Sequence, residues 1–363
     1  MKSPGTNIDA PTTSEDLMKA LVYHGPGKRA WEEKPKVALK EPTDAIVRVL
    51  RTTICGTDLH ILKGDLPEVT EGRILGHEGI GVVEEIGTAV TNFKKGDRVI
   101  ISCVTACLKC VYCKKQMYSH CIDGGWILGY LIDGTQAEYV RIPHADGSLY
   151  AVPKGADEEA LVMLSDILPT GYECGVLNGK VSPGDTVAIV GAGPVGLAAL
   201  MTSKFYSPSE IIVVDLDDNR LEASKKFGAT KTVNSTDGNA AAKIMEMTGK
   251  RGVDVAIEGV GARASFDICQ AIVTAGGHIA NIGVHGKSVE LHLERLWSAN
   301  ITLTTRLVDT ATTSMLLKTV LSKTLHPEQL ITHRFPMGDI LKAYDTFGNA
   351  AQERALKVMI SAA

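Results

Sequence analysis

An apolar run at residues 186–190 passes directly into Gly191-Ala192-Gly193-Pro194-Val195-Gly196. The chain then reads as helical to about Tyr206, before a second apolar run, 211–214, closes on Asp215. Few arrangements accept that order. A buried strand, a turn too tight for side chains and a helix leading to a second buried strand make a βαβ unit. The glycines let amides at the helix start approach a pyrophosphate, where the helix dipole favours negative charge. Three glycines at fixed offsets arise by chance about 0.35 times in a chain with this glycine content, so the spacing alone decides little. The flanking strands, and an acid nineteen residues past the last glycine, make the turn a dinucleotide-binding one.

Asp215 also bears on which dinucleotide. A carboxylate ending the second strand accepts hydrogen bonds from a free adenosine ribose and repels a 2′-phosphate, and Asp217 and Asp218 add to the repulsion. Arg220 is the nearby cation, able to pair with these acids or to reach the ribose. The expected cofactor is therefore NAD. Helical and apolar stretches keep alternating to an edge segment at 301–305, enough for a doubly wound parallel sheet of six strands. The turn Gly283-Val284-His285-Gly286 falls where a strand's carboxyl end would meet the nicotinamide half.

Upstream the pattern changes. Residues 19–142 hold short β-rich runs at 20–23, 45–53, 79–86, 98–101 and 137–142, punctuated by Pro and Gly as in an antiparallel domain. Between two of them lies Cys107-Leu108-Lys109-Cys110-Val111-Tyr112-Cys113, then seven residues, then Cys121. Four cysteines at fixed offsets should occur about 0.0001 times in such a chain, so the cluster is no accident. Two-residue gaps turn backbone amides toward the sulfurs, and four thiolates can wrap one ion with no position left open. Such a site is structural. An iron–sulfur cluster is the other occupant of four thiolates, but the crowding on one loop favours zinc. Cys103, four residues earlier, is left out.

A second constellation runs from Cys55-Gly56-Thr57-Asp58-Leu59-His60 to Gly76-His77-Glu78. It offers a thiol, imidazoles and carboxylates, the donors that suit zinc, while Thr57 and His60 can each carry a proton. Taken alone, a single Cys is as readily a small buried hydrophobe.

The net charge of −4 provides no basic field for nucleic acid. The longest apolar run, 186–201, is broken by glycines and a proline and is too short for a bilayer, so no membrane partner is expected. Residues 1–17, rich in Pro, Thr, Ser and Asp, read as a disordered extension with neither a signal peptide's apolar core nor a transit peptide's arginines. A cytoplasmic location follows, where clustered thiols bind metal rather than pair.

Taken together, the Cys-Gly-Thr-Asp-Leu-His run, the Gly-His-Glu, the four-cysteine lobe, the Ser165-Asp166…Pro169-Thr170-Gly171 segment and the glycine turn resemble the zinc-dependent medium-chain alcohol dehydrogenases. The resemblance covers nearly the whole chain from Met18. It implies a GroES-like antiparallel β catalytic domain (18–167 and 304–363) and a Rossmann cofactor domain (168–303). It implies two zinc ions: a catalytic one on Cys55, His77 and Asp166, and a structural one on Cys107, Cys110, Cys113 and Cys121. Many relatives carry a second cysteine where Asp166 stands; others, microbial secondary-alcohol enzymes among them, carry Asp. Glu78 is implied as a neighbour that approaches the zinc during ligand exchange, and Asp58 as the acid that orients the ligand imidazole. Thr170 would pack behind the nicotinamide, Ile282, Val284 and Leu303 would touch the cofactor with the glycine-turn residues, and Trp126 would wall the substrate pocket. Two departures stand out: Gly56 replaces a pyrophosphate-binding arginine, and the lobe and Asp215 differ from the NADP-preferring secondary-alcohol group.

The activity so implied is reversible oxidation of small primary or secondary alcohols to aldehydes or ketones with hydride transfer to NAD. The proton would leave through Thr57, the nicotinamide ribose and His60. The alternatives are a polyol or formaldehyde-type dehydrogenase of the same superfamily, and a non-catalytic NAD-sensing zinc protein. Relatives imply a homotetramer, or a homodimer.

Overall fold

The computed structural model describes residues 16–362. Most of the extension expected at 1–17 therefore lies outside the described residues, and Leu17 already opens the first strand. Strands β1 (Leu17–Tyr23) and β2 (Arg29–Pro35) form an antiparallel hairpin. The main sheet of this half is built from β3 (Ala45–Thr53), β4 (Gly79–Ile86), β5 (Arg98–Ile101), β6 (Tyr139–Ile142) and β7 (Leu149–Ala151). The second half contributes β8 (Thr186–Val190), β9 (Glu210–Asp215), β10 (Lys231–Asn234), β11 (Val253–Glu258), β12 (Val273–Asn281) and β13 (Thr302–Thr305). After it the chain returns with β14 (Ile331–Pro336) and β15 (Lys357–Ser361).

Strands β8 to β13 form a six-stranded sheet in the order β10-β9-β8-β11-β12-β13, every pair parallel. Residues of β8, β9 and β11 are buried on both faces: Val187, Ile189, Val213 and Ile257 pack to one side, Ala188, Ile212, Val214 and Ala256 to the other. That two-sided burial explains their unbroken apolar character. The order reverses at β8, and a crevice opens at the strands' carboxyl ends beside the glycine turn.

The first half's sheet runs β14-β15-β3-β4-β5-β7, antiparallel except at the first pair, with β6 also on β3. β15 lies parallel to β14 and antiparallel to β3, Met359 opposite Thr53, so this late strand completes the first half's sheet. Leu21, Val47, Val99, Val358 and Ile360 share that core. The expected domain limit at 303/304 falls inside β13, whose Thr304 and Thr305 belong to the parallel sheet. One helix, α1 (Gly56–Lys63), is built from the Cys55 stretch, where no helical periodicity shows in the sequence. Among the described residues no helix is long and apolar enough to cross a membrane.

Candidate active site

Cys55 leaves β3 and caps the start of α1, its amide held by Asp58 Oδ2 at 2.9 Å. His77 and Glu78 immediately precede β4, and Asp166 begins the helical segment Ile167–Thr170. Three distant segments thus bring one donor atom each of Cys55, His77, Glu78 and Asp166 within 4.8 Å of one another. His77 Nε2 lies 3.2 Å and Cys55 Sγ 3.8 Å from Asp166 Oδ2. A zinc ion with ordinary bond lengths sets tetrahedral edges of about 3.4 Å for N–O and about 3.6 Å for S–O, so the spacing suits the ion without rearrangement.

Charge argues the same way. Asp58, Glu78 and Asp166 cluster with the Cys55 thiol, and the buried lysine facing them is Lys357. Burial pushes the Asp166 carboxyl up, but the His77 hydrogen bond and charge, then Thr170, more than reverse this and hold it well below the carboxylate range. Burial depresses His77, yet its bonds to Asp166 and Cys55 win and raise it well above an ordinary imidazole. The pair therefore keeps a proton at neutral pH in a place made for a cation, and a metal would displace it.

Neighbours of the cluster include Thr170, marked for another role, and groups to which the sequence assigns no role. Thr170 donates to Asp166 Oδ1 at 2.6 Å, turning Oδ2 toward the other donors. Cys103, set aside on sequence grounds, is fully buried with Sγ 3.6 Å from Asp166 Oδ1. Lys357 reaches Glu78 at 2.7 Å, and the Thr53 hydroxyl donates to the other Glu78 oxygen. Only the lysine in an otherwise apolar terminal run could have hinted at that pair. Asp58 does not hydrogen-bond the His77 ring as expected. Its Oδ2 accepts from the Cys55 amide and from Gln136 Nε2, while Oδ1 has no hydrogen-bond partner among the described residues.

Thr57 Oγ1 lies 3.7 Å from Cys55 Sγ. His60, one turn further along α1, keeps 28% of its side chain exposed and meets Asp65 Oδ2 through Nδ1 at 2.8 Å. Trp126 sits edge-on to His77, ring centroids 5.8 Å apart, and stacks on Tyr130. With Ile282 it packs against Cys103 and Cys174. Ile282 immediately follows β12, so the donor cluster abuts the carboxyl edge of the parallel sheet.

Along that edge runs a cleft of about 780 Å³, lined by Gly191, Gly193, Asp215 and Arg220 among others. Gly191 has φ +107°, and a Cβ on Gly196 would strike its carbonyl, which is why both positions are glycine. Pro194 and Val195 open the helix Pro194–Ser203. Asp215 accepts from the Ala192 amide at 2.7 Å and the Asp217 amide at 3.0 Å, and a carboxylate has lone pairs left for two ribose hydroxyls. The Arg220 Nε is buried without a hydrogen-bond partner among the described residues. Val284 is half exposed on the loop after Ile282. Leu303 stands within β13 opposite Ile279, two residues before the strand's end, and is partly exposed.

Cys107, Cys110, Cys113 and Cys121 form a separate lobe, all four sulfurs within 4.8 Å of one another. Cys107 and Cys113 Sγ are 4.0 Å apart, against about 3.8 Å for two thiolates on one zinc. The Cys113 amide donates to Cys110 Sγ, and the Cys107 amide to Cys121 Sγ. The Cys113 amide, with that of Ile122, lowers the Cys110 thiol to about 6, while burial pushes Cys113 up to about 12.

Comparison with known proteins follows the same division. A family model for the alcohol dehydrogenase GroES-like domain matches residues 41–154, and one for zinc-binding dehydrogenases matches 194–322. The chain is 34% identical to an alcohol dehydrogenase of Cupriavidus necator, over 95% of this chain and 98% of that one. It is 35% identical to the NADP-dependent isopropanol dehydrogenase of Thermoanaerobacter brockii, over 88% and 92%. Among solved structures, the apo form of zinc dependent alcohol dehydrogenase 2 from Streptococcus pneumonia superposes with a TM-score of 0.92 at 57% identity, over 95% and 98% of the two chains.

Proposed function

The chain belongs to the zinc-dependent medium-chain alcohol dehydrogenases, and from that premise we propose that it reversibly oxidises small primary or secondary alcohols, passing the hydride to NAD. The observation that carries this reading is the convergence of Cys55, His77 and Asp166 beside Ile282, where the parallel sheet's carboxyl edge meets the antiparallel domain.

These three residues would hold the catalytic zinc, and Cys107, Cys110, Cys113 and Cys121 the structural one. Zinc supplies the positive charge that makes an alcohol hydroxyl acidic near neutral pH, and NAD supplies the hydride acceptor. The rest falls to the chain's own groups. Thr57 would accept the hydroxyl proton as it releases its own toward the nicotinamide ribose, and His60, partly in solvent, would receive the proton from there and pass it to water. Trp126 and Ile282 wall the site and exclude water from the reacting carbon. Thr170 keeps Asp166 turned toward the metal. Gly191, Gly193 and Gly196 admit the pyrophosphate, while Asp215 and Arg220 take the adenosine ribose.

Asp215 supports NAD even though a 35% identical relative carries NADP in its name. A complete proton path disfavours mere NAD sensing. The edge of β13 is unpaired among the described residues, and nearby Trp297 is 77% exposed with Leu293 at 59%. Such an apolar edge supports a homo-oligomer, and light scattering would tell the tetramer that relatives imply from a dimer. The main test is NADH formation across primary, secondary and polyhydroxy alcohols, with zinc analysis. A fully zinc-loaded protein that reduces NAD with none of them would overturn the reading; polyols alone as substrates would redirect it.

A further inference from the structure

Helix α1 ends at Gly64, whose φ of +83° lies in the left-handed region. The Gly64 amide donates to the Ile61 carbonyl and the Asp65 amide to the His60 carbonyl, both at 3.0 Å. A glycine in that conformation reverses the chain and folds the following residue back over the helix end. The reversal sets Asp65 against the His60 ring, Oδ2 to Nδ1 at 2.8 Å. His60 Nε2 has no hydrogen-bond partner among the described residues. On the far side, a Cβ built on Gly286, in the loop after β12, would come within 3.9 Å of the Asp65 carboxylate. The pair therefore sits where α1 faces the cofactor domain.

An ionised carboxylate only accepts, so Nδ1 carries the hydrogen and Nε2 is left as the ring's acceptor. We infer that Asp65 is a positioning residue of the proton path. It fixes the His60 tautomer with Nε2 open, and stabilises the imidazolium while the proton is in transit. The balance is simple: a proton arriving at Nε2 uses its lone pair, the ring becomes cationic against Asp65, and the same proton departs to water. This rests on the reading above that Thr57 and His60 carry the substrate proton.

The experiment is the first-turnover rate of NADH formation in the zinc-loaded enzyme for Asp65→Asn and Asp65→Glu, each in wild-type and His60→Gln backgrounds. Asp65→Asn should slow that rate on the order of tenfold, the low end for loss of a residue that orients a functional histidine. Alcohol and NAD affinities should change less than about twofold, since neither touches Asp65 in this reading. Asp65→Glu should recover most of the rate, added imidazole buffer should recover part of it, and Asp65→Asn should cost nothing further once His60 is Gln. An unchanged first turnover, or a loss of equal size without His60, overturns the inference. Should Asp65→Asn melt early, Asp65→Ser gives the same comparison. A wild-type enzyme that makes no NADH sinks the proposed function instead, so the two failures are distinct.

Discussion

Lys357 Nζ lies 2.7 Å from the Glu78 carboxylate although each side chain is only 1% exposed and the residues are 279 positions apart. Burial alone would strip the ammonium of its proton; Glu78 and the Cys55 thiol hold it charged. Removing one partner of a buried pair strands the other. Lys357→Met should therefore cost roughly 3–5 kcal/mol. Urea unfolding of the zinc-loaded protein measures it, and the double change with Glu78→Gln should cost less than the single one. Equal losses in both would mean that the pairing itself contributes nothing.

Asp166→Ala should lower bound zinc by about one equivalent per chain and abolish turnover, because two remaining donors hold the ion poorly. NAD binding, read by fluorescence titration, should persist, since the glycine turn is untouched. Activity surviving metal loss would refute the site.

In chelator-treated protein, Cys110 should alkylate ahead of Cys113. Its pKa is lowered, so the reactive thiolate prevails above a pH of about 6, whereas Cys113 stays protonated until about 12. Labelling should slow as pH falls through about 6, and zinc should protect both. Mass spectrometry of the labelled peptides decides; Cys113 reacting first would contradict the assigned order.

Asp215→Ser should reduce kcat/KM for NAD by about 10- to 100-fold, the range for lost hydrogen bonds to a charged group. It should raise relative use of NADP by removing a repelling charge. A wild-type enzyme already preferring NADP would make the premise wrong.

Parts of this were legible in the residues. The limits of β3, β4, β5 and β8 follow the apolar runs, because strands buried on a continuous core are written in β-branched side chains. By contrast β2, Arg-Ala-Trp-Glu-Glu-Lys-Pro, is half exposed and paired only to β1, so no alternation marks it. Cys55, His77 and the lobe cysteines announce themselves by residue type. Lys357, Cys103 and Asp65 do not. The first reaches its partner through the pairing of β15 with β3, the second through the chain's path after β5, and the third through one left-handed glycine. Tertiary placement, not local pattern, gives them their roles.

The slot that β15 fills between β14 and β3 has a consequence during synthesis. A nascent chain elongated just past Asp166 already possesses every donor proposed for the reactive metal, yet lacks the one ammonium that neutralises their crowded negative charge. Those five late residues should thus act as a clasp. A molecule clipped before them would strand the Glu78 carboxylate in the interior and leave those crowded donors to be held together by the ion alone.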